Sequence, residues 1–117
     1  MTQTFGPYPA RVAGVHDGDT VLLDIDLGFD HLISAKDFDG KSRLSCRVFG
    51  MQAPELSTPE GKAALEFART LLPVGTRVRL ISYLWDKFGG RFNGSIILPD
   101  GLDFASVMIK SGHAKVY

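Results

Sequence analysis

The sequence holds one cysteine, one tryptophan, no net charge and no apolar run near membrane-spanning length, and each scarcity removes a class of protein. Cys46 cannot close a disulfide within the chain, which fits a reducing compartment. Nothing beside it in sequence suggests an activated thiolate, so a buried strand residue is expected. Thirteen basic and thirteen acidic residues cancel at a sequence pI near 6.8. No overall positive field draws in a polyanion, and any nucleic-acid contact must be local. Met1 to Pro9 lack the basic region and apolar core of a signal peptide, so the expectation is a soluble, cytoplasmic protein with no membrane partner. His16, His31 and His113 are far apart and lack metal-ligand spacing. They read as turn or surface residues, with His16 beside Asp17 the one to watch. Internal repeats and low-complexity segments are absent.

What is there suits an ordinary globular domain: 117 residues with 44% apolar and 22% charged, enough for a single core. Residues 1–9, with Gly6, Pro7 and Pro9, read as an extended leader, and 10–117 as the single domain. Arg11 to His16 and Thr20 to Leu27 are β-like runs joined by His16-Asp17-Gly18-Asp19, and an Asp-Gly pair there signals a hairpin. Gly28 marks a bulge or bend. From Gly28 to Lys41 a β-excursion with a mobile tip is expected; Asp30, Asp37 and Asp39 could imitate a calcium loop but lack its closing glutamate. Thr58, Pro59 and Glu60 open a helix with N-cap, first-position proline and first-turn acid. Its apolar face is Ala64, Phe67, Ala68, Leu71 and Leu72, ended by Pro73 and Gly75. Thr76 to Leu84 is another strand, with Val78, Leu80 and Tyr83 as core candidates, and Phe92 to Leu98 a fifth. A short helix from about Asp103 buries Phe104, Val107 and Met108 and stops at Gly112. The expected class is mainly β with flanking helices, α+β, built on a five-stranded OB-like barrel.

The chain is organised around Arg47-Val48-Phe49-Gly50-Met51-Gln52-Ala53-Pro54-Glu55, a strand running into a proline-stiffened turn. Pro54 restricts its own φ and pushes Ala53 to extended backbone, which aims nearby polar groups. Read alone, this is a strand, a turn and a surface carboxylate. With Asp17 and Asp19 at the first turn and Arg91 before the fifth strand, it becomes a kit for phosphodiester hydrolysis. Arginine's planar fork matches phosphoryl charge, a carboxylate can orient or deprotonate water, and Asp oxygens with a backbone carbonyl suit Ca²⁺ or Mg²⁺.

Four segments in order give a resemblance. Asp17-Gly18-Asp19-Thr20-Val21, Arg47 through Ala53-Pro54-Glu55, Asp86-Lys87-Phe88-Gly89-Gly90-Arg91, and Gly112-His113-Ala114-Lys115-Val116-Tyr117 resemble the motifs of the staphylococcal-nuclease, or thermonuclease, family. The resemblance covers nearly the whole chain from Arg11 and implies an OB barrel with flanking helices. It implies Asp19, Gln52 and the Ala53 carbonyl as metal ligands for Ca²⁺ or Mg²⁺. Arg47 and Arg91 would grip the phosphate, and Glu55 would act on the attacking water. Lys87, Phe88 and Tyr117 would contact the nucleotide, the substrates being DNA and RNA cut endonucleolytically with the phosphate left on the 3′ side.

The chain departs from that pattern in three places. Gln52 stands where the best-known members have a metal-binding aspartate, so the site loses one negative charge. The third motif has an additional glycine, Gly89-Gly90, with Phe88 in place of a common tyrosine. The chain also ends at Tyr117, where family members often continue into another helix; that would expose apolar barrel surface and invite dimerisation, so a monomer and a homodimer are both open. A weakly active or silent OB module that binds nucleic acid or protein is the alternative. A purely structural role leaves both arginines and Glu55 unexplained. The small, signal-free chain would suit a bacteriophage or mobile element. Trp85 and Phe88 read as packing before base stacking, and Arg77 and Arg79, which share a strand face, as solvated before backbone-tracking.

Overall fold

Two strands that bury valine, leucine and isoleucine curl against each other to start a barrel. Residues 4–34, 45–85 and 91–117 are described by a computed structural model of the chain, the side chains of residues 84, 85 and 91 excepted. Strand β1 (Phe5–Asp17) pairs with β2 (Thr20–Gly28) in antiparallel fashion around the Gly18-Asp19 turn. Alternation turns Val21, Leu23 and Ile25 inward on β2. On β1 a register shift between Val12 and Gly14 changes the phase, so Val12 and Val15 are both buried although three residues apart.

β1 begins earlier than the sequence suggests. Phe5 to Pro9, read as a leader before order began at Ala10, pair with β6 (Arg77–Trp85) through Phe5↔Ser82, Tyr8↔Leu80 and Pro9↔Arg79. They form barrel wall because the outer edge of β6 needs a partner for its backbone groups. Next come β4 (Ser45–Val48) and β7 (Arg91–Ile97), which pair in parallel, and β7 returns to β6. The order β1-β6-β7-β4-β2, with β2 back on β1, closes a five-stranded barrel. With a helix after the third barrel strand and another after the fifth, the expected OB-like α+β class is observed.

Beyond the barrel, β3 (His31–Ile33) extends β2 across a turn whose Phe29 and Asp30 both take left-handed backbone, φ 55° and 58°. The register shift beside Gly28 is the bend its position suggested. The remainder of that excursion, with Asp37 and Asp39, lies outside the described residues.

Helix α1 (Pro59–Leu71) starts as its sequence dictates, with Thr58 Oγ1 accepting the Gly61 N–H at 3.0 Å and Pro59 at the first position. Ala64 and Ala68 are buried on its inner face, and Leu72 at its C-cap is 1% exposed. Helix α2 (Phe104–Lys110) is capped by Asp103, whose Oδ2 accepts from Ser106 N. It buries Phe104, Ala105 and Met108, while Val107 packs only partly. Phe104, Met51, Leu23, Leu72 and Leu80 are the large buried side chains, each contributing about 1.5–3 kcal/mol. Val78 and Leu80 are core as expected. Tyr83 is not: an odd-numbered position on the opposite face from both, it is half-buried on the barrel exterior. Finally, β8 (Lys115–Val116) pairs with β5 (Met51–Gln52), and Tyr117 N donates to Gly50 O at 3.1 Å. Among the described residues no helix is long and apolar enough to cross a membrane.

Candidate active site

The β1–β2 turn lies against the chain leaving β4. Gly18 makes this contact possible, since a Cβ there would meet Ala53 Cβ at 2.7 Å and Ala64 Cβ at 3.2 Å. With the turn so close, Asp19 binds the corner twice: its carbonyl accepts from Val48 N at 2.9 Å, and its Oδ2 accepts from Ala53 N at 3.1 Å. Arg47, opposite Thr20 on the neighbouring strand, brings Nη2 to 3.9 Å from the same Oδ2. Its Nη1 donates to the Val48 and Met51 carbonyls, both at 3.2 Å. Two backbone acceptors and one carboxylate therefore fix the guanidinium in a partly open position, 18% exposed.

Behind Asp19 stands a second carboxylate. Asp17 Oδ1 accepts from Asp19 N at 3.1 Å. Burial first, then a proton shared with Asp17 and that neighbour's charge, push the Asp19 carboxyl up from 3.8 to about 6; the Ala53 N–H and Arg47 work against the rise. Burial also acts to raise Asp17, but hydrogen bonds from the Asp19 side chain and backbone outweigh it and hold Asp17 below the ordinary aspartate range. A paired carboxyl site that retains a proton is one where a hard cation can take the proton's place. Asp19, Asp17 and the exposed Gln52 amide are oxygen donors, so the set fits Ca²⁺ or Mg²⁺. It is a sparse set, with no cluster of three or more His, Cys, Asp or Glu side chains among the described residues. Ala53 reaches Asp19 through its N–H.

Glu55 occupies the next corner. Its carbonyl accepts from Thr58 N at 3.0 Å and Thr58 Oγ1 at 2.7 Å, tying it to the α1 cap. Gly61 packs directly on that carbonyl, with no room for a Cβ. The Glu55 side chain is left exposed. From the opposite direction the tail delivers Tyr117, whose ring lies 5.3 Å from the Arg47 guanidinium carbon.

Asp19, Arg47, Ala53 and Tyr117 thus meet directly, with Gln52 and Glu55 on the same short loop. Arg91 opens β7 opposite Ser45, two residues before the Asn93 that faces Arg47. Lys87 and Phe88 lie outside the described residues. The close approaches at Gly18 and Gly61 are long-range or cap contacts that motif order does not report. A glycine in the first turn of a helix was the signal for the second, because helix propensity disfavours it there.

No protein-family model matches the chain. Over 107 residues it is 26% identical to a protein of Escherichia coli O157:H7 named "Uncharacterized endonuclease", and to a protein of the same name from Escherichia coli. The chain is similar to two bacterial proteins named as endonucleases. The alignments take in 92% of this chain and 60% of each relative, so the chain spans about three fifths of their length.

Proposed function

We propose that this chain is a nuclease of the thermonuclease type, hydrolysing the phosphodiester backbone of DNA or RNA. The observation that carries the reading is the fixed Arg47, held by two carbonyls and Asp19 on the strand that leads into the loop carrying the exposed Glu55. The likeness to two proteins named as endonucleases supports it.

Two of the five guanidinium N–H donors of Arg47 are committed to backbone carbonyls, and those not turned to Asp19 can meet phosphoryl oxygens as negative charge develops. Glu55 accepts a proton from water as the water oxygen bonds to phosphorus. The P–O5′ bond then breaks, the leaving oxygen is protonated from solvent, and the phosphate stays on the 3′ side. Arg91 is the second phosphate clamp, and Tyr117, Lys87 and Phe88 hold the nucleotide. Asp19, with Asp17 behind and Gln52 and Ala53 beside it, would hold Ca²⁺ or Mg²⁺, which supplies Lewis-acid stabilisation of the phosphoryl oxygens when bound.

Cleavage of labelled single-stranded DNA by purified protein, with Ca²⁺, Mg²⁺ or excess chelator, tests the reading. Glu55→Gln should slow cutting by about 100-fold or more while leaving the melting temperature unchanged. Full activity in that variant rules out this mechanism. The sparse acidic set favours one other reading, a silent OB module that retards an oligonucleotide on a gel without shortening it.

A further inference from the structure

The exterior of β6 carries Arg77 and Arg79 on one face, with Val78 and Leu80 turned into the core between and beyond them. Across the β1–β6 ladder Arg11 stands directly opposite Arg77. Like charges so placed repel one another. Among the described residues, none of the three guanidinium groups has a hydrogen bond or ion pair to the protein. On β1 and β6, acidic residues are confined to Asp17 at the far end of β1. Asp24 faces Arg11 from β2 and, with Asp26, lines the same pocket as Arg11 and Arg77, so acidic side chains border the Arg11 end of this face; Asp24 also has interactions of its own. Asp103, bridged to Ile97 opposite Arg79, spends its Oδ2 on the α2 cap.

The same face leads to the candidate active site. Tyr83 leans over β7, its hydroxyl 3.1 Å from Ser95 Oγ, and its ring centroid lies 4.7 Å from that of Phe49. Phe49 is 53% exposed, anchored by its N–H on Gly94 O, and begins the turn that follows β4, two residues after Arg47. Side chains two apart on a strand are about 6.7 Å apart, so Arg77 and Arg79 match the pitch of successive phosphates. Aromatic faces followed by regularly spaced cations are what a single strand of nucleic acid requires: a surface for bases and charges for its backbone.

We infer that single-stranded nucleic acid leaves Arg47, stacks a base on the Phe49–Tyr83 ledge, and lays its phosphates along Arg79, Arg77 and Arg11. The track extends the proposed nuclease site and rests on that reading for its starting point at Arg47. It gives a chain of zero net charge a local row of cations, bordered at its Arg11 end by Asp24 and Asp26.

The test is anisotropy of a labelled oligothymidylate of about 12 nucleotides, bound in excess chelator so that no cutting is needed. Arg77→Glu with Arg79→Glu alters exposed side chains and should leave the fold intact. The double variant should bind about tenfold more weakly at low salt, with a salt slope about 1.4 units shallower for two lost phosphate contacts. Phe49→Ala should weaken binding about tenfold without changing that slope. Cleavage of a short chromogenic nucleotide phosphodiester, which cannot reach β6, should be unchanged in the arginine double variant.

Unaltered affinity and slope in the arginine variant would overturn the track. So would absence of binding by the unmodified chain, or a variant whose only change is loss of self-association in sedimentation, which would make the arginines a protein interface. If the unmodified chain binds but never cuts, and the variants lose binding, the track stands and the nuclease reading falls.

Discussion

Asp19 Oδ2 lies 3.9 Å from Arg47 Nη2 and accepts the Ala53 N–H at 3.1 Å, so one carboxylate oxygen joins the first turn, the central strand and the loop that carries Glu55. A partly buried group with this many tasks is poorly placed to be charged for stability alone. Its raised pKa records the conflict.

Asp19→Asn should therefore stabilise the fold near neutral pH while lowering cleavage, because the amide oxygen can still accept the Ala53 N–H without the buried charge. The folded-state value near 6 lies above the ordinary 3.8, so the native state binds the extra proton between those values and loses stability as pH rises through them. The variant's advantage in melting temperature should be near zero at about pH 4, grow to about pH 6 and then level at a few degrees. Asp17, lowered instead, contributes stability that is present above 3.8 and lost only in stronger acid. A flat difference across thermal melts from about pH 4 to 7 would contradict the assignment.

Gly61→Ala should disturb Glu55 without touching it chemically. The new Cβ would overlap the Glu55 carbonyl and come within 2.9 Å of the Pro54 carbonyl oxygen. The corner must move, and if Glu55 acts on water as proposed, a displacement near 1 Å should lower kcat by about 100-fold. A loss of several degrees in melting temperature should accompany it. Lys62→Ala, on the exposed side of the same turn, should leave both unchanged.

Gln52→Asp adds a carboxylate one residue before the Ala53 whose N–H reaches Asp19. Calcium affinity measured by titration calorimetry should rise about tenfold or more, since charge count sets affinity at such sites. An unchanged affinity would place the ion elsewhere.

Tyr117→Ala removes the ring over Arg47. A partly exposed cation–π contact is worth about 0.5–1 kcal/mol, so melting should shift little. If the ring packs the nucleotide, KM for an oligonucleotide should rise severalfold with kcat nearly constant. A fall in kcat alone would instead make Tyr117 a positioning residue for Arg47.

Much of the local structure is readable in the chain because it depends on near neighbours. Thr58-Pro59-Glu60 start α1 through bonds closed within a single turn, and alternation on β2 names its buried face. Asp103 as the α2 cap and Gly28 as a bend follow from the same short-range rules. The candidate residues Asp19, Arg47, Gln52, Ala53 and Glu55 could be chosen from residue type and order alone.

Tertiary structure decided what long-range pairing controls. That Phe5 to Pro9 would be barrel wall depended on an open edge of β6 far along the chain, at Arg79 to Ser82, which no local pattern reports. The exterior position of Tyr83 followed from strand phase, and its contact with Phe49 from the parallel docking of β4 on β7. Likewise the tail reaches Arg47 only because β8 finds the edge of β5. The sequence by itself determined which groups are available and how each short segment bends. Barrel closure, a cooperative matching of backbone hydrogen bonds between distant strands, decided which of those groups meet.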